Sequence, residues 1–249
     1  MGAPAVLITG ALTGIGRATA LAFAHNGARV LVSGRRDEAG SALVAELRSA
    51  GAVDADFVLA DVRREDEVRD LIDRTVARFG SLDVAVSNAG TEGLPGSLLE
   101  QTAENYSTVF DTNVLGTLLS LKHELRVMQP QGSGAIVNLS SIVGHKALPG
   151  APLYVASKHA VEGLTRAAAL EAAAFGVRVN AVAPGPIETG MLDRFAGTAE
   201  AKTGLLSGLP LKRAGRPEEI AQAIVYAASD AAAFMTGHIL AVDGGMTVQ

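Results

Sequence analysis

The sequence predicts an α/β protein of three layers, with a doubly wound parallel sheet of about seven strands between two layers of helices. Three observations carry this expectation. Short β-branched runs recur from one end of the chain to the other. Stretches of helical composition lie between them. The runs are almost continuously apolar, as in strands covered on both faces. Such alternation implies right-handed βαβ units.

The strands are expected at 5–9, 29–33, 56–60, 83–87, 135–139, 177–182 and 238–242, and the helices at 15–25, 37–50, 64–79, 102–128, 153–175 and 217–228. Asp61-Val62-Arg63-Arg64-Glu65 and Arg216-Pro217-Glu218-Glu219 read as helix starts, with acids in the first turn and a proline at the first helical position of the second. No linker or repeat divides the chain, so residues 1–249 read as one domain. The exception to the rhythm is a Gly-punctuated insert over 188–216, the expected lid over a substrate.

Composition narrows the function. Of 249 residues 48% are hydrophobic and 19% charged, enough for a large buried core. A net charge of -5 argues against nucleic acid and anionic membranes, and 4% aromatics without Trp argue against a base-stacking platform. The absence of Cys removes disulfides, zinc ribbons, iron–sulfur clusters and thiol nucleophiles. The five His show no paired spacing, so no metal site is expected. No apolar run reaches a membrane span and no signal peptide is evident, so a cytoplasmic protein is expected.

The first strand runs into Thr9-Gly10-Ala11-Leu12-Thr13-Gly14-Ile15-Gly16 at the opening of a helix. Glycines there permit a tight turn and let helix N-terminal N–H groups approach a pyrophosphate, although many such turns are merely turns. Arg35 lies 19 residues after Gly16, near the position that reads the adenosine ribose. An acid there would bond ribose hydroxyls. Gly34-Arg35-Arg36 instead suits a 2′-phosphate, or is a pair of solvated arginines. Asp61-Val62 and Asn88-Ala89-Gly90 follow the third and fourth strands, where ligands bind in open α/β sheets. Asp61 suits the adenine amino group or a helix cap; Asn88 suits a brace between strand loops or an ordinary turn.

Ser140-Ser141-Ile142-Val143-Gly144 precedes Tyr154-Val155-Ala156-Ser157-Lys158, whose Tyr and Lys share a helix face. An ammonium beside a phenol, together with an oxidised nicotinamide, favours phenolate and moves the Tyr toward acid/base work at neutral pH. A Ser hydroxyl can hold the substrate oxygen alongside.

With these motifs, together with Asn113, Asn180-Ala181-Val182-Ala183-Pro184-Gly185 and Val242-Asp243-Gly244-Gly245, the whole chain resembles the short-chain dehydrogenases/reductases. The resemblance implies a Rossmann-type fold. It also implies catalytic Asn113, Ser141, Tyr154 and Lys158, Ser141 being favoured over Ser140 because it lies 13 residues before Tyr154. The implied cofactor set is Gly10, Thr13, Gly14, Ile15, Gly16, Arg35, Arg36, Asp61, Val62, Asn88, Ala89, Gly90, Tyr154 and Lys158, with Pro184, Gly185, Ile187 and Thr189 at the nicotinamide end.

The expected activity is interconversion of a secondary alcohol and a ketone, with NADP(H) preferred and NAD(H) possible. Rivals are an NAD-dependent polyol or sugar dehydrogenase, a silent dinucleotide-binding scaffold, and a methyltransferase in which the Tyr–Lys pair has no role. Where acyl-carrier-protein reductases of the family carry basic residues near the active-site mouth, Gly132 and Phe175 stand here, so that carrier is not expected as a partner. Pocket walls are expected at 91–96, 142–144, Leu148, Pro186, Met191, Leu192 and Phe195, suiting a small or medium apolar carbonyl. The resemblance also implies a homotetramer that pairs the helices near 102–128 and 153–175. Ala160, Gly163, Ala167 and Glu171 step along one face of the later helix to suit it, or that face packs only onto the chain's own sheet.

Overall fold

A computed structural model describes residues 2–249. Its seven strands, β1 (Ala5–Ile8), β2 (Arg29–Gly34), β3 (Asp54–Leu59), β4 (Val84–Ser87), β5 (Gly134–Leu139), β6 (Val177–Pro184) and β7 (Ile239–Val242), form one sheet. The order is β3-β2-β1-β4-β5-β6-β7 and every pairing is parallel. The strands reach somewhat beyond, or stop short of, the apolar runs. β3 starts at Asp54 because Asp54 lies in register with Arg29 of β2.

The helices are α1 (Gly14–His25), α2 (Asp37–Ser49), α3 (Glu65–Phe79), α4 (Ala103–Phe110), α5 (Gly116–Gln131), α6 (Pro152–Ala172), α7 (Gly190–Ala196), α8 (Ala199–Gly208) and α9 (Pro217–Ala228). Strand side chains alternate between the faces, and both faces are buried. Val6, Ile8, Val30 and Val32 pack with Phe23 of α1, Leu43 and Leu47 of α2, and Ile220 and Ile224 of α9. Ala5, Leu7 and Leu31 face Leu71 and Ile72 of α3, Met128 of α5 and Ala168 of α6. Each such Leu, Ile or Val contributes about 1.5–3 kcal/mol of transfer free energy, which is why the runs read as unbroken apolar stretches.

One expectation changes. The helix expected over 102–128 is divided: residues Asp111–Leu115 wind as a π turn between α4 and α5. The insert over 188–216 carries α7 and α8. α9 starts where expected, with Pro217 at its first position and the Glu219 carboxylate accepting from Arg216 N at 2.7 Å. Strand order runs outward in both directions from β1 and β4, leaving a crevice beyond their carboxyl ends.

Candidate active site

The crevice begins at the turn after β1. Gly10 has φ +63°, and a Cβ there would lie 2.7 Å from Ala89 Cα. A Cβ at Gly16 would lie 2.4 Å from Asn88 Nδ2 and 2.5 Å from Gly10 O. Only glycine lets the turn, the β4 end and α1 close on one another. Asn88 is the brace: Nδ2 donates to Thr9 O and Gly10 O at 2.9 Å each, and its N–H donates to Thr9 Oγ1 at 3.1 Å. Thr13, the residue before α1, makes no side-chain cap, so the first N–H groups of α1 face the crevice without a capping oxygen. A glycine cradle at an uncapped helix N-terminus fits a dinucleotide pyrophosphate.

Gly10, Thr13, Gly14, Ile15, Arg35, Arg36, Asp61, Val62, Asn88, Ala89, Gly90 and Thr189 border this one cleft. Gly16 lies beneath it as a packing residue. Arg35 and Arg36 are exposed on the wall, and neither forms an ion pair among the described residues. Asp61 does not cap α3, which starts at Glu65 after Arg64. Its carboxylate accepts from Arg63 Nε at 2.9 Å and Nη2 at 2.5 Å, and this pairing holds it below the usual carboxylate range.

A second chamber continues from the first; the two share Ile15, Asn88, Gly90, Thr189 and Met191. Ser141, Tyr154, Lys158, Pro184, Gly185 and Ile187 line it. Ser141 stands before a tight turn, Ile142–Gly144, and Tyr154 and Lys158 stand in the first two turns of α6. Lys158 Nζ donates to Leu139 O at 2.7 Å and lies 5.6 Å from the Tyr154 ring centroid. Asn113 sits on the π turn, a feature common at functional sites. It is buried, with Oδ1 accepting from Thr91 N at 2.8 Å and Nδ2 donating to Thr91 O at 2.8 Å and Ser157 Oγ at 3.0 Å.

The expected downward shift of the Tyr154 phenol does not hold for the protein groups by themselves. Burial pushes it up to about 12, the Ser141 hydroxyl opposes this, and the Glu92 charge adds to it. Burial likewise pushes the Lys158 ammonium down to about 8. Desolvation is the largest cause for both groups.

Ile142, Val143, Leu148, Pro186, Met191, Leu192 and Phe195 line the chamber as expected, while Gly144 and residues 93–96 do not. Leu205 of α8 and Met246 of the C-terminal segment join the wall outside the expected residues. Thr91 and Glu92, within the expected 91–96, line it, and nothing in the sequence marked Glu92 as bringing a buried carboxylate there. Gly132 and Phe175 correct an expectation outright. They precede β5 and β6, at the opposite end of the sheet from Ser141 and Tyr154, so they do not flank this chamber's mouth. Among the described residues no cluster of His, Asp or Glu fits a metal ion, and no helix is long and apolar enough to cross a membrane.

Comparison with known proteins agrees with this geometry. A family model described as Enoyl-(Acyl carrier protein) reductase matches residues 10–247. A cis-4-hydroxycyclohexanecarboxylate dehydrogenase of Sinomonas cyclohexanicum is 45% identical, over 97% of this chain and 95% of its own. The solved structure of ElxO with NADP bound superposes with a TM-score of 0.92 at 37% identity, covering 100% of both chains. NAD+-bound xylitol dehydrogenase superposes with a TM-score of 0.93 at 32% identity, covering 97% of this chain and 98% of its own.

Proposed function

The chain belongs to the short-chain dehydrogenase/reductase family, oxidoreductases of alcohols and ketones that take a nicotinamide dinucleotide, and from that premise we propose that it is an NADP(H)-preferring reductase of neutral, apolar ketones. One observation carries the catalytic part: Tyr154, Lys158 and Ser141 line a chamber continuous with the glycine cradle. The nicotinamide, when bound, supplies or accepts the hydride. Gly10, Thr13, Gly14, Ile15, Asp61, Val62, Asn88, Ala89 and Gly90 would hold the dinucleotide, with Pro184, Gly185, Ile187 and Thr189 at its nicotinamide end. Arg35 and Arg36, lacking carboxylate partners, would take the 2′-phosphate.

Tyr154 is the acid/base. With its affinity for the proton raised by burial, the phenol is neutral at pH 7, the form that donates to a developing alkoxide. Ser141 orients the carbonyl oxygen beside it. Lys158 would bond the nicotinamide ribose, and its ammonium would offset the phenolate left after transfer. Asn113, fixed by Thr91 and Ser157, holds a water that relays protons between Lys158 and solvent. Residues 188–216 form the lid, with Met191, Leu192, Phe195 and Leu205 giving the chamber its apolar wall.

A second reading, an NAD-dependent polyol dehydrogenase, draws on Glu92, whose carboxylate can accept from a substrate hydroxyl. The net charge of -5 disfavours an acidic carrier protein. A panel of cyclohexanone, longer ketones, xylitol and glucose, assayed with both cofactors, separates the readings. Faster NADPH-linked ketone reduction supports the first; NAD+-linked polyol oxidation alone overturns it.

Assembly is proposed as a homotetramer with two dyads. Tyr106, Leu118 and Leu170 stand exposed on α4, α5 and α6, and Gly163 of α6 has open space around it. Tyr226, Phe234 and Val248, nearer the C-terminus, are exposed as well.

A further inference from the structure

Glu162 is a carboxylate taken almost wholly out of solvent, its side chain 1% exposed, and it borders neither the cleft nor the chamber. It lies one turn beyond Lys158 and two beyond Tyr154 on the same side of α6. Oε1 accepts from Ser140 Oγ at 3.1 Å and lies 2.9 Å from His145 Nδ1; Oε2 accepts from Arg166 Nη2 at 3.1 Å. Ser140 and His145 are the two ends of the short segment that contains Ser141 and the Ile142–Gly144 turn. Inside that segment, a Cβ at Gly144 would lie 2.3 Å from Glu162 Oε1 and 2.6 Å from Ser140 Oγ. Only a glycine lets the backbone settle on the carboxylate. One residue further on, Lys146 Nζ donates to Met246 O at 2.8 Å and pins the far side of the segment to the chamber wall.

A buried carboxylate is unfavourable unless charged or hydroxyl donors surround it. Two of the three donors around Glu162 are the residues that bracket Ser141. The same helix therefore sets both sides of the reacting geometry, Tyr154 directly and Ser141 through Glu162.

We propose that Glu162 is a positioning residue that anchors Ser140 and His145 so that the Ser141 hydroxyl faces Tyr154. This rests on the role given to Ser141 above. Glu162 acts through Ser141 and touches no substrate, so its loss should matter only while Ser141 is present. Purely structural damage would instead multiply with the loss of Ser141.

The test is a double-mutant cycle of Glu162→Leu with Ser141→Ala, read as kcat for cyclohexanone reduction by NADPH, with NADPH affinity followed by nucleotide fluorescence. Glu162→Leu alone is expected to lower kcat about 10- to 100-fold, the scale of a misplaced catalytic group, with NADPH affinity changed less than about twofold. In the Ser141→Ala background it is expected to cost less than about twofold. Glu162→Gln keeps one oxygen for Ser140 and His145 and should stay within about threefold of wild type. An equal loss in both backgrounds, or wild-type turnover of Glu162→Leu, would overturn the proposal. Should Glu162→Leu fail to fold, His145→Ala, whose ring is partly exposed, takes its place in the cycle under the same two criteria. Wild-type turnover of Ser141→Ala would instead sink the catalytic role of Ser141, and this inference with it.

Discussion

Arg194 of α7 donates from Nε to the buried carboxylate of Glu92 at 2.7 Å and from Nη2 at 3.3 Å. Glu92 follows Thr91, whose N–H and C=O are both held by Asn113, so the pair ties a fixed loop to the segment over the chamber. Arg194→Ala should therefore loosen the proposed lid. Because the guanidinium is itself largely exposed, the loss is modest. The expected result is a ketone KM raised about 3- to 10-fold, an effect of 1 kcal/mol order, with kcat little changed. Steady-state kinetics check this, and an unchanged KM contradicts the latch.

Arg35→Ala should weaken NADPH binding by about 1.5–3 kcal/mol, the scale of a lost charge-assisted hydrogen bond, and leave NADH nearly unaffected. Titration of both nucleotides against the variant measures it. Equal affinities in the wild type, unaltered in the variant, would remove the case for NADP preference.

Glu124 of α5 is fully buried, bonded only from Ser87 Oγ at 3.1 Å, and burial pushes its carboxyl up to about 7. The folded state thus holds this proton more tightly than the unfolded chain, where a Glu titrates near ~4.5. Its stabilising effect is complete below pH ~4.5 and is lost as pH rises through 7, amounting to about 3 kcal/mol. Glu124→Gln should flatten this dependence, gaining stability relative to wild type at pH 8 and little at pH 4.5. Urea unfolding at the two pH values decides it; parallel curves for both proteins would refute the burial argument.

Light scattering at micromolar protein should give about four times the chain mass of 25.4 kDa. A mass of one chain refutes association, and a mass of two leaves one of the two apolar surfaces as an interface.

The sheet was legible in the sequence because each strand is buried on both faces and must be apolar throughout. The strand ends were less so, since pairing partners such as Arg29 and Asp54 set them. The break at Asn113 had no local signal. Asp111, Thr112, Asn113, Val114 and Gly116 are weak helix formers, but nothing in their order marks a π turn, and the partner of Asn113 there is Thr91, 22 residues away in sequence. The motifs proposed as catalytic stood out because their residue types are chemically unusual neighbours. The burial of Glu92 and Glu162 did not, because a glutamate in a loop or helix reads as a solvated charge until tertiary packing buries it.

The proton carried by Tyr154 is tested most directly by single-turnover reduction of cyclohexanone with Tyr154→Phe saturated by NADPH. The phenol packs beside Ser141 and Lys158 without supporting the core, so the variant should fold and bind NADPH as the wild type does. Its rate of NADPH consumption should fall at least about 100-fold, the low end for removal of a positioned acid/base. A rate within about threefold of wild type, with NADPH bound normally, would show that another group delivers the proton.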